Sequence, residues 1–187
     1  KNLSISELHK YLLSGISPRP IALVSTISSS GINNLAPYSF FNCFSVNPPT
    51  VAFSIVRSGV EAETKDTYNN LIASRECVIQ LVTFDIVTQV NVASAEYCSD
   101  VDEFIKSGLT PIESDLVKPK RVKESPFQME CVLRDMINLG EGRGSSDLAI
   151  CTVVKLHIAE DIFEDEKINQ NKIDLVGRMG GNYYVRS

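Results

Sequence analysis

The segment KDTYNN, residues 65 to 70, carries groups that could bind a phosphate monoester. Lys65 supplies a positive charge and Thr67 a hydroxyl. A helix that begins here would add the unpaired N–H groups and the positive dipole end of its first turn. Such a combination suits a phosphate. The alternative is an ordinary capped helix on the surface, and the segment alone does not separate the two.

The segment NNLAPYSFFNCF, residues 33 to 44, places aromatic rings where the pattern follows neither a helix nor a strand. Ser39 and Asn42 interrupt these rings, and an irregular backbone would leave amide groups free for a ligand. The strand predicted next, TVAFSIV, has one polar interruption, Ser54. An aromatic loop, a strand serine and a phosphate site together suit a flat, phosphorylated ring system. FMN and pyridoxal phosphate both fit that description.

Other catalytic arrangements find little support in the sequence. His9 lies on a predicted surface helix and His157 near the end of a predicted strand, and no other histidine is present, which disfavours a histidine metal site or a nucleophile triad. Glu164 and Glu166 lie in a polar run that is typical of a solvated face rather than a glycosidase pair. We therefore expect no metal ligand and assign no catalytic side chain.

Two further patterns have ordinary structural interpretations. The glycines of GEGRGS, residues 140 to 145, precede a strand rather than a helix and are not followed by lysine, so we expect a turn instead of a nucleotide loop. The chain has five cysteines and no CxxC pair, which predicts reduced, packed thiols rather than disulfides or metal ligands.

The composition predicts one globular domain over residues 1–187, with 43% apolar and 22% charged residues and a net charge of −5. No basic block is present, so we expect no nucleic-acid partner. No apolar run reaches about 18 residues, so we expect no membrane span. The first residues lack a signal-peptide pattern, and by default we expect a cytoplasmic protein.

The secondary-structure pattern is mainly β (α+β). Ser4 and Glu7 form a capping box for a helix that ends near Gly15. Strands are predicted over residues 21–28, 32–36, 50–56, 76–82, 127–140 and 147–161. Helices are predicted over residues 65–74, 85–92, 102–108 and 164–170, and a loop over residues 57–63. Because most strands are adjacent in sequence, we expect an antiparallel, Greek-key-like barrel with peripheral helices rather than a βαβ sheet.

Six segments, in this order and spacing, resemble the flavin reductase-like family in its flavoredoxin-type branch. The resemblance runs from about residue 10 to the end of the chain. The segments are ISPRPIALVST, NNLAPYSFFNCFSVNPPTVAFSIV, KDTYNN, DEFIKSGLT, ESPFQMEC and GRMGGNYY.

The resemblance implies an FMN-binding split β-barrel that works as a homodimer, with a flavin near the dimer interface of each subunit. Arg19 and Arg178 match arginines of the branch, and both a cofactor contact and a salt bridge that holds the fold are open for them. The other matching positions divide by the part of FMN they would contact. They are Ser39, Phe40, Phe41 and Asn42 for the isoalloxazine ring, Ser54, Ile55 and Val56 for the ribityl and phosphate end, and Lys65, Asp66 and Thr67 for the phosphate.

The resemblance also implies an NAD(P)H:flavin oxidoreductase that is FMN-dependent. A reduced nicotinamide would stack on the exposed flavin face and transfer hydride, and the electrons would pass to an acceptor that the sequence does not name. The cofactor supplies this chemistry, which agrees with a sequence that lacks an acid–base pair. The alternative is a non-catalytic FMN-binding electron carrier or sensor. A pyridoxamine-phosphate-oxidase-like barrel is disfavoured by the motif match.

Overall fold

The computed structural model describes residues 2–57 and 62–187. Residues 58–61, the centre of the loop predicted over residues 57–63, lie outside the described part. Seven antiparallel strands form the main sheet, in the order β2-β1-β5-β8-β9-β4-β3. These strands are β1 Ala22–Ile27, β2 Asn33–Tyr38, β3 Phe41–Val46, β4 Pro49–Val56, β5 Glu76–Leu81, β8 Phe127–Asn138 and β9 Ser146–Ile158. Three short pairs complete the β structure: β6 Pro111–Ile112 with β7 Arg121–Val122, β10 Phe163–Glu164 with β11 Lys167–Ile168, and β12 Val176–Arg178 with β13 Tyr184–Arg186.

The helices lie around this sheet, as the sequence predicts. The Ser4–Glu7 capping box is present at the start of the first helix, and Gly108 ends the fourth in a left-handed conformation. Their bounds are α1 Ile5–Gly15, α2 Asp66–Ser74, α3 Val87–Ala93, α4 Glu103–Ser107 and α5 Gln170–Ile173. Single 3-10 turns cover Phe84–Ile86 and Glu160–Ile162.

Two apolar cores lie on opposite faces of the sheet. Ala22 and Val24 point into the first core with Phe53 and Ile55, while Leu23 points into the second with helices α3 and α4. Successive side chains of a strand point to opposite faces, so β1 is buried on both. This double burial explains why the strand begins with a continuous apolar run, ALV, rather than with an alternating pattern.

The two long strands predicted in the second half are confirmed as the β8–β9 hairpin. Their register joins Phe127 to Ile158 at one end and Asn138 to Asp147 at the other. The glycine-rich segment between them is a turn, as expected, in which the N–H of Leu139 donates to the carbonyl of Ser146 at 2.9 Å.

Two local predictions are wrong. The hairpin arm predicted over residues 32–36 is confirmed by β2, but the segment of residues 33–44 is not an irregular loop. β2 pairs with β1 and β3 pairs with β4, and only Ser39 and Phe40 form a bend between them. The helix predicted over residues 164–170 is instead the β10–β11 hairpin. Asp165 and Glu166 adopt positive φ at its turn, which a helix does not allow.

The prediction of reduced thiols is confirmed, and three of the cysteines are also packed in the interior. All five cysteines are free; Cys77, Cys131 and Cys151 are buried in the first core, and Cys43 and Cys98 are exposed. Among residues 2–57 and 62–187, no helix is both long and apolar enough to cross a lipid bilayer.

Candidate functional site

Three adjoining cavities meet at the end of β2, where Pro37 and Tyr38 line all of them. We name them after the residue or helix that distinguishes each. The Ser54 cavity, about 220 Å³, is lined by His9, Leu13, Pro37, Tyr38, Ser39, Phe40, Ser54, Val56 and Lys65. The α2 cavity, about 300 Å³, includes Asn34, Lys65, Asp66, Thr67, Ser94, Tyr97 and Glu103. The Arg178 cavity, about 190 Å³, is lined by Ile21, Pro37, Tyr38, Ser39, Val90, Asn91, Ser94, Arg178 and Tyr184.

Ser54 lines its cavity and carries a buried hydroxyl without a partner in the described part of the chain. The residue is 8% exposed, and its Oγ has no hydrogen-bond partner among the described residues. Leaving a buried hydroxyl unsatisfied costs about 1–3 kcal/mol. Tyr38, which lines the same cavity, also has a buried hydroxyl without a partner, and burial raises its pKa. Ser54 thus offers a ligand of this cavity an unused hydrogen-bonding group, whereas the Tyr38 hydroxyl lies close to Thr67, which lines the α2 cavity.

The predicted cofactor-binding residues near the bend and on β4 fall into two sets. Some line the Ser54 cavity, and the others point into the first core. Ser54 and Val56 line the cavity, while Ile55, between them, points into the first core. Phe40 also lines the cavity, whereas the ring of Phe41 packs against the first core. Only the backbone of Phe41 and Ile55 is therefore available to a ligand.

Asn42 lies away from the three cavities on the exposed β3 strand. Its side-chain oxygen accepts the N–H of Cys43 at 2.8 Å, so it serves its own backbone. Ser39 lines the Ser54 and Arg178 cavities, and its hydroxyl accepts from the Nε of Arg19 at 3.3 Å. Of the two predicted polar residues, Ser39 therefore lines two cavities, whereas Asn42 lines none of the three.

Helix α2 begins at the α2 cavity, as the sequence predicts. Lys65 is the N-cap residue, and no side chain of the described residues caps the helix. The first-turn N–H groups of a helix lack internal acceptors and carry the positive end of its dipole. Lys65 lines both the α2 and the Ser54 cavities, which places its charge between them. The phosphate site over residues 65–67 stays a prediction, and the start of α2 at a cavity is compatible with it.

The hydroxyl of Thr67 has another partner. It donates to the Oδ1 of Asn34 at 2.8 Å, and the same oxygen accepts from Thr26 Oγ1 at 3.1 Å. Asn70 Nδ2 donates to Thr26 at 3.0 Å, and Asn34 Nδ2 donates to Glu103 Oε1 at 3.2 Å. All five residues are buried. Thr67 therefore joins α2 to β1 and β2, and it offers a phosphate its backbone N–H rather than its hydroxyl proton.

The α2 cavity contains more negative than positive charge. Glu63, Asp66, Glu96 and Glu103 line it together with the single cation Lys65. Burial raises the pKa of Glu103, partly offset by the N–H of Leu35, and the charge of Asp66 raises it further. Asp66 itself accepts from the hydroxyl of Ser99 at 2.7 Å. Any phosphate in this cavity therefore depends on Lys65 and the α2 N–H groups to offset nearby carboxylates.

Arg19 holds the fold together, but through neutral acceptors. Its guanidinium donates to the carbonyls of Leu13 at 2.6 Å and Ile16 at 2.7 Å, at the end of α1, and to Met179 at 3.1 Å. Arg19 is 6% exposed and forms no ion pair with another described residue. Burial, and then the charge of Arg178, lower its pKa.

The guanidinium of Arg178 makes fewer hydrogen bonds with the described residues than that of Arg19. The Arg178 guanidinium lies 4.7 Å from the centre of the Tyr184 ring and donates from Nη1 to the carbonyl of Tyr183 at 3.2 Å. The backbones of Arg19 and Arg178 are joined by two hydrogen bonds of 3.0 and 2.8 Å. The two predicted arginines therefore adjoin each other, and they have different roles.

Several lining residues have no signal in the sequence. His9 and Leu13, four positions apart on α1, share a helix face and line the Ser54 cavity. Asn91 and Ser94 come from α3 and its end, and Tyr184 from β13. Only the His9 and Leu13 spacing could have indicated a common face, and it does not indicate a cavity.

One cluster of potential metal ligands is present among the described residues, but its groups already bond to one another and to the backbone. Asp115, Glu130 and His157 bring ligand atoms within 4.8 Å of one another. Glu130 already accepts the backbone N–H groups of Asp115, Leu116 and Val117 at 2.8, 2.6 and 3.1 Å, and His157 Nε2 lies 2.6 Å from its Oε1. Both carboxylate oxygens are thus occupied by donors, and the cluster anchors residues 115–117 to the sheet.

The antiparallel sheet with peripheral helices agrees with the split-barrel fold of flavin reductase-like proteins. Residues 14–173 match the family model described as "Flavin reductase like domain", and the chain belongs to this family. An uncharacterized protein of Aquifex aeolicus is 36% identical over 182 residues, which cover 96% of this chain and 90% of that protein.

Solved structures agree with this assignment. Nitrilotriacetate monooxygenase component B from Bacillus cereus superposes with a TM-score of 0.94 and 34% identity, covering 100% of this chain and 92% of that one. The flavoredoxin of Desulfovibrio vulgaris (Miyazaki F) superposes with a TM-score of 0.77 and 21% identity, covering 91% and 87%. The second likeness concerns the fold alone.

Proposed function

We propose that this protein, as one domain over residues 1–187, binds FMN in the three adjoining cavities and acts as an NAD(P)H-dependent flavin oxidoreductase. The observation that carries the proposal is the buried, unpartnered hydroxyl of Ser54 in a cavity that also holds Lys65 and the Phe40 ring. A flat polar ring would satisfy that hydroxyl and pack against Phe40, and Lys65 would attract its phosphate.

The residues would divide the cofactor between them. Ser39, Phe40 and Ser54 would hold the ring, with the hydroxyls as hydrogen-bonding groups and the phenylalanine as an apolar wall. Lys65 and the backbone N–H groups of Asp66 and Thr67 would hold the phosphate. Burial of these contacts in the cavity would exclude water and strengthen each of them.

Bound FMN would supply the redox chemistry, taking hydride from a reduced nicotinamide and passing electrons on. The chain's own part would be to fix the ring and leave one face open. No pair of side chains lining the three cavities forms an acid–base hydrogen bond with each other among the described residues, so no proton-transfer role is assigned. This agrees with a mechanism in which the protein positions the cofactor and the donor.

The likeness to the Bacillus cereus protein supports one kind of acceptor. That protein is a component of a monooxygenase, and its 34% identity extends over the whole chain. Electrons would then leave on reduced flavin for a separate oxygenase component. The alternative is an FMN-binding electron carrier or sensor without turnover.

We further propose that the protein works as a homodimer. Helix α1 has no buried residue, and Ile5, Leu8 and Tyr11 on it are 62%, 47% and 57% exposed. The terminal strand β3 exposes Phe44 and Val46 at 69% and 87%. An uncovered apolar edge strand invites association with another chain. A second copy covering α1 and β3 would also enclose the Ser54 cavity, because His9 and Leu13 of α1 line it.

One sample tests these proposals. Flavin-free protein would be titrated with FMN and followed by quenching of flavin fluorescence, and then supplied with NADH or NADPH while absorbance at the nicotinamide band is recorded. Binding with nicotinamide oxidation is expected. Binding without oxidation would favour the carrier or sensor, and absence of FMN binding at micromolar concentrations would refute both. Light scattering after size exclusion would give the mass of one or two chains.

A further inference from the structure

Among the described residues, the lining of the Arg178 cavity contains an arginine and no acidic side chain. The contrast with the α2 cavity is large, because four carboxylates line that one against a single lysine. The chain as a whole has a net charge of −5, so a positive cavity does not follow from its composition. The difference indicates which of the two cavities better attracts an anion.

The positive charges of Arg19 and Arg178 are not paired with a carboxylate of the described residues. Neither Arg19 nor Arg178 forms an ion pair within the described residues, and their backbones adjoin through two hydrogen bonds. Buried or half-buried charges are ordinarily paired. The neutral acceptors of Arg19 come from the chain itself and occupy four of its five N–H groups. An anion in the cavity would therefore be held by Arg178.

The guanidinium of Arg178 has donors to spare. Among the described residues it makes one side-chain hydrogen bond, from Nη1 to Tyr183, and its Nε and Nη2 donate to none. The Tyr184 ring, 4.7 Å away, supports one face of the guanidinium and limits its motion. Asn91 and Ser94 also line the cavity, and the Ser94 hydroxyl, which donates to the Asn91 carbonyl at 2.7 Å, can still accept a hydrogen bond. A fork of free donors with polar neighbours is suited to phosphate oxygens.

The cavity also adjoins the place where a flavin ring would lie. Tyr38 and Ser39 line both the Arg178 cavity and the Ser54 cavity. We propose that Arg178, with Tyr184, Asn91 and Ser94, binds the diphosphate of the nicotinamide dinucleotide that reduces the flavin, rather than the phosphate of FMN. This inference rests on the proposed function, since it concerns the second substrate of the same site.

The experiment separates donor binding from turnover. Flavin-loaded protein would be titrated by calorimetry with adenosine diphosphate ribose, which carries the diphosphate but no nicotinamide. Wild-type protein and Arg186→Gln are expected to bind it equally, because Arg186 pairs with Asp174 and does not line the cavity. Arg178→Gln is expected to bind about 10-fold more weakly, the loss expected for one charge-assisted hydrogen bond, and to raise the KM for NAD(P)H similarly with little change in kcat.

Two further readouts decide the remaining cases. Arg178→Lys keeps the positive charge but loses the planar arrangement of donors. We expect it to bind adenosine diphosphate ribose about 3-fold more weakly than the wild type, with an unchanged melting temperature. A merely structural role of Arg178 would instead lower the melting temperature and leave the KM for NAD(P)H unchanged. The inference would be overturned if Arg178→Gln lost affinity for FMN but not for riboflavin. It would also be overturned if Arg178→Gln bound adenosine diphosphate ribose as tightly as Arg186→Gln does, or if the wild type did not bind it. Arg178-dependent binding without nicotinamide oxidation would support the subsite and refute only the proposed turnover.

Discussion

The backbone N–H of Ser54 donates to the carbonyl oxygen of Phe40 at 2.9 Å. This bond extends the β3–β4 ladder one position beyond the Phe41–Phe53 pair, into the bend that joins β2 to β3. It fixes the aromatic bend against β4, with the Ser54 hydroxyl and the Phe40 side chain on one cavity. The ladder thus positions the two groups whose combination supports a flavin site.

Replacing Ser54 with alanine is expected to move stability and binding in opposite directions. Removing an unpartnered buried hydroxyl leaves the free energy of unfolding of the flavin-free protein equal or higher by up to about 1 kcal/mol. FMN affinity is expected to fall about 5- to 10-fold because a ligand hydrogen bond is lost. Urea unfolding and fluorescence titration measure the two quantities.

Ser25→Ala is the matched control for that substitution. Ser25 is also buried on a strand, but its hydroxyl already donates to the carbonyl of Lys120. Its loss is expected to destabilise the fold by about 1 kcal/mol and to leave FMN affinity unchanged. If Ser54→Ala lowered stability as Ser25→Ala does and left FMN binding intact, Ser54 would be an ordinary core residue.

Lys65→Gln is expected to discriminate between flavins. FMN carries a phosphate that riboflavin lacks, so loss of the Lys65 charge should weaken FMN about 10-fold and riboflavin less than about 2-fold. The FMN effect should shrink at high salt, since a partly exposed charge is screened. Lys106→Gln, an exposed lysine on α4 outside the three cavities, provides the control. Equal losses for both flavins would place Lys65 at the ring.

Thr67→Val is expected to affect folding rather than phosphate recognition. The hydroxyl donates to Asn34 inside a buried network, and its removal leaves that oxygen one donor short. We expect the free energy of unfolding to fall by about 1–3 kcal/mol, and the ratio of FMN to riboflavin affinity to change less than about 2-fold, because the Thr67 N–H remains.

Thr64→Val tests the interpretation of Thr67. Thr64 has a similar side-chain bond, to Asn69 Oδ1 at 2.9 Å, but it is exposed. Its loss should cost less than about 0.5 kcal/mol. A large selective loss of FMN affinity in Thr67→Val would instead restore a direct hydroxyl–phosphate contact, as the sequence alone suggested.

Glu130→Gln is expected to destabilise the protein by about 3 kcal/mol at neutral pH, because a buried, four-fold hydrogen-bonded carboxylate loses its charge. Burial raises the pKa of Glu130, but the N–H of Asp115 and the His157 ring outweigh this, and the net pKa lies below its usual value. The stabilisation is thus present above the pKa of the unfolded chain and is lost as the pH falls through the folded pKa.

Urea unfolding across a pH series measures this dependence. The wild type and Glu130→Gln should differ most at neutral pH and converge in acid. Glu113→Gln removes an exposed glutamate near the same loop, whose side chain is 82% exposed, and it should change stability by less than about 0.5 kcal/mol at any pH. A constant difference between wild type and Glu130→Gln would show that charge is not what stabilises this contact.

Much of the local structure could be predicted because neighbouring residues decide it. The Ser4–Glu7 capping box, the α2 start at KDT, and the two long strands follow from caps and from apolar periodicity. The segment of residues 33–44 could not be predicted from its own pattern. It becomes two strands only because β1 and β4 offer partners on either side, and pairing overrides a weak local preference.

The sequence by itself determined the elements, the family resemblance and the set of candidate residues, because caps, turns and strand periods act over a few positions. Only the tertiary structure decided what each candidate does. Thr67 meets Asn34 across 33 positions of the chain, and Arg19 meets Met179 across 160. Such contacts depend on the order of strands in the sheet, which no local pattern encodes. That order gives Thr67 and Arg19 partners within the protein, and it leaves the hydroxyl of Ser54 and donors of Arg178 without partners among the described residues.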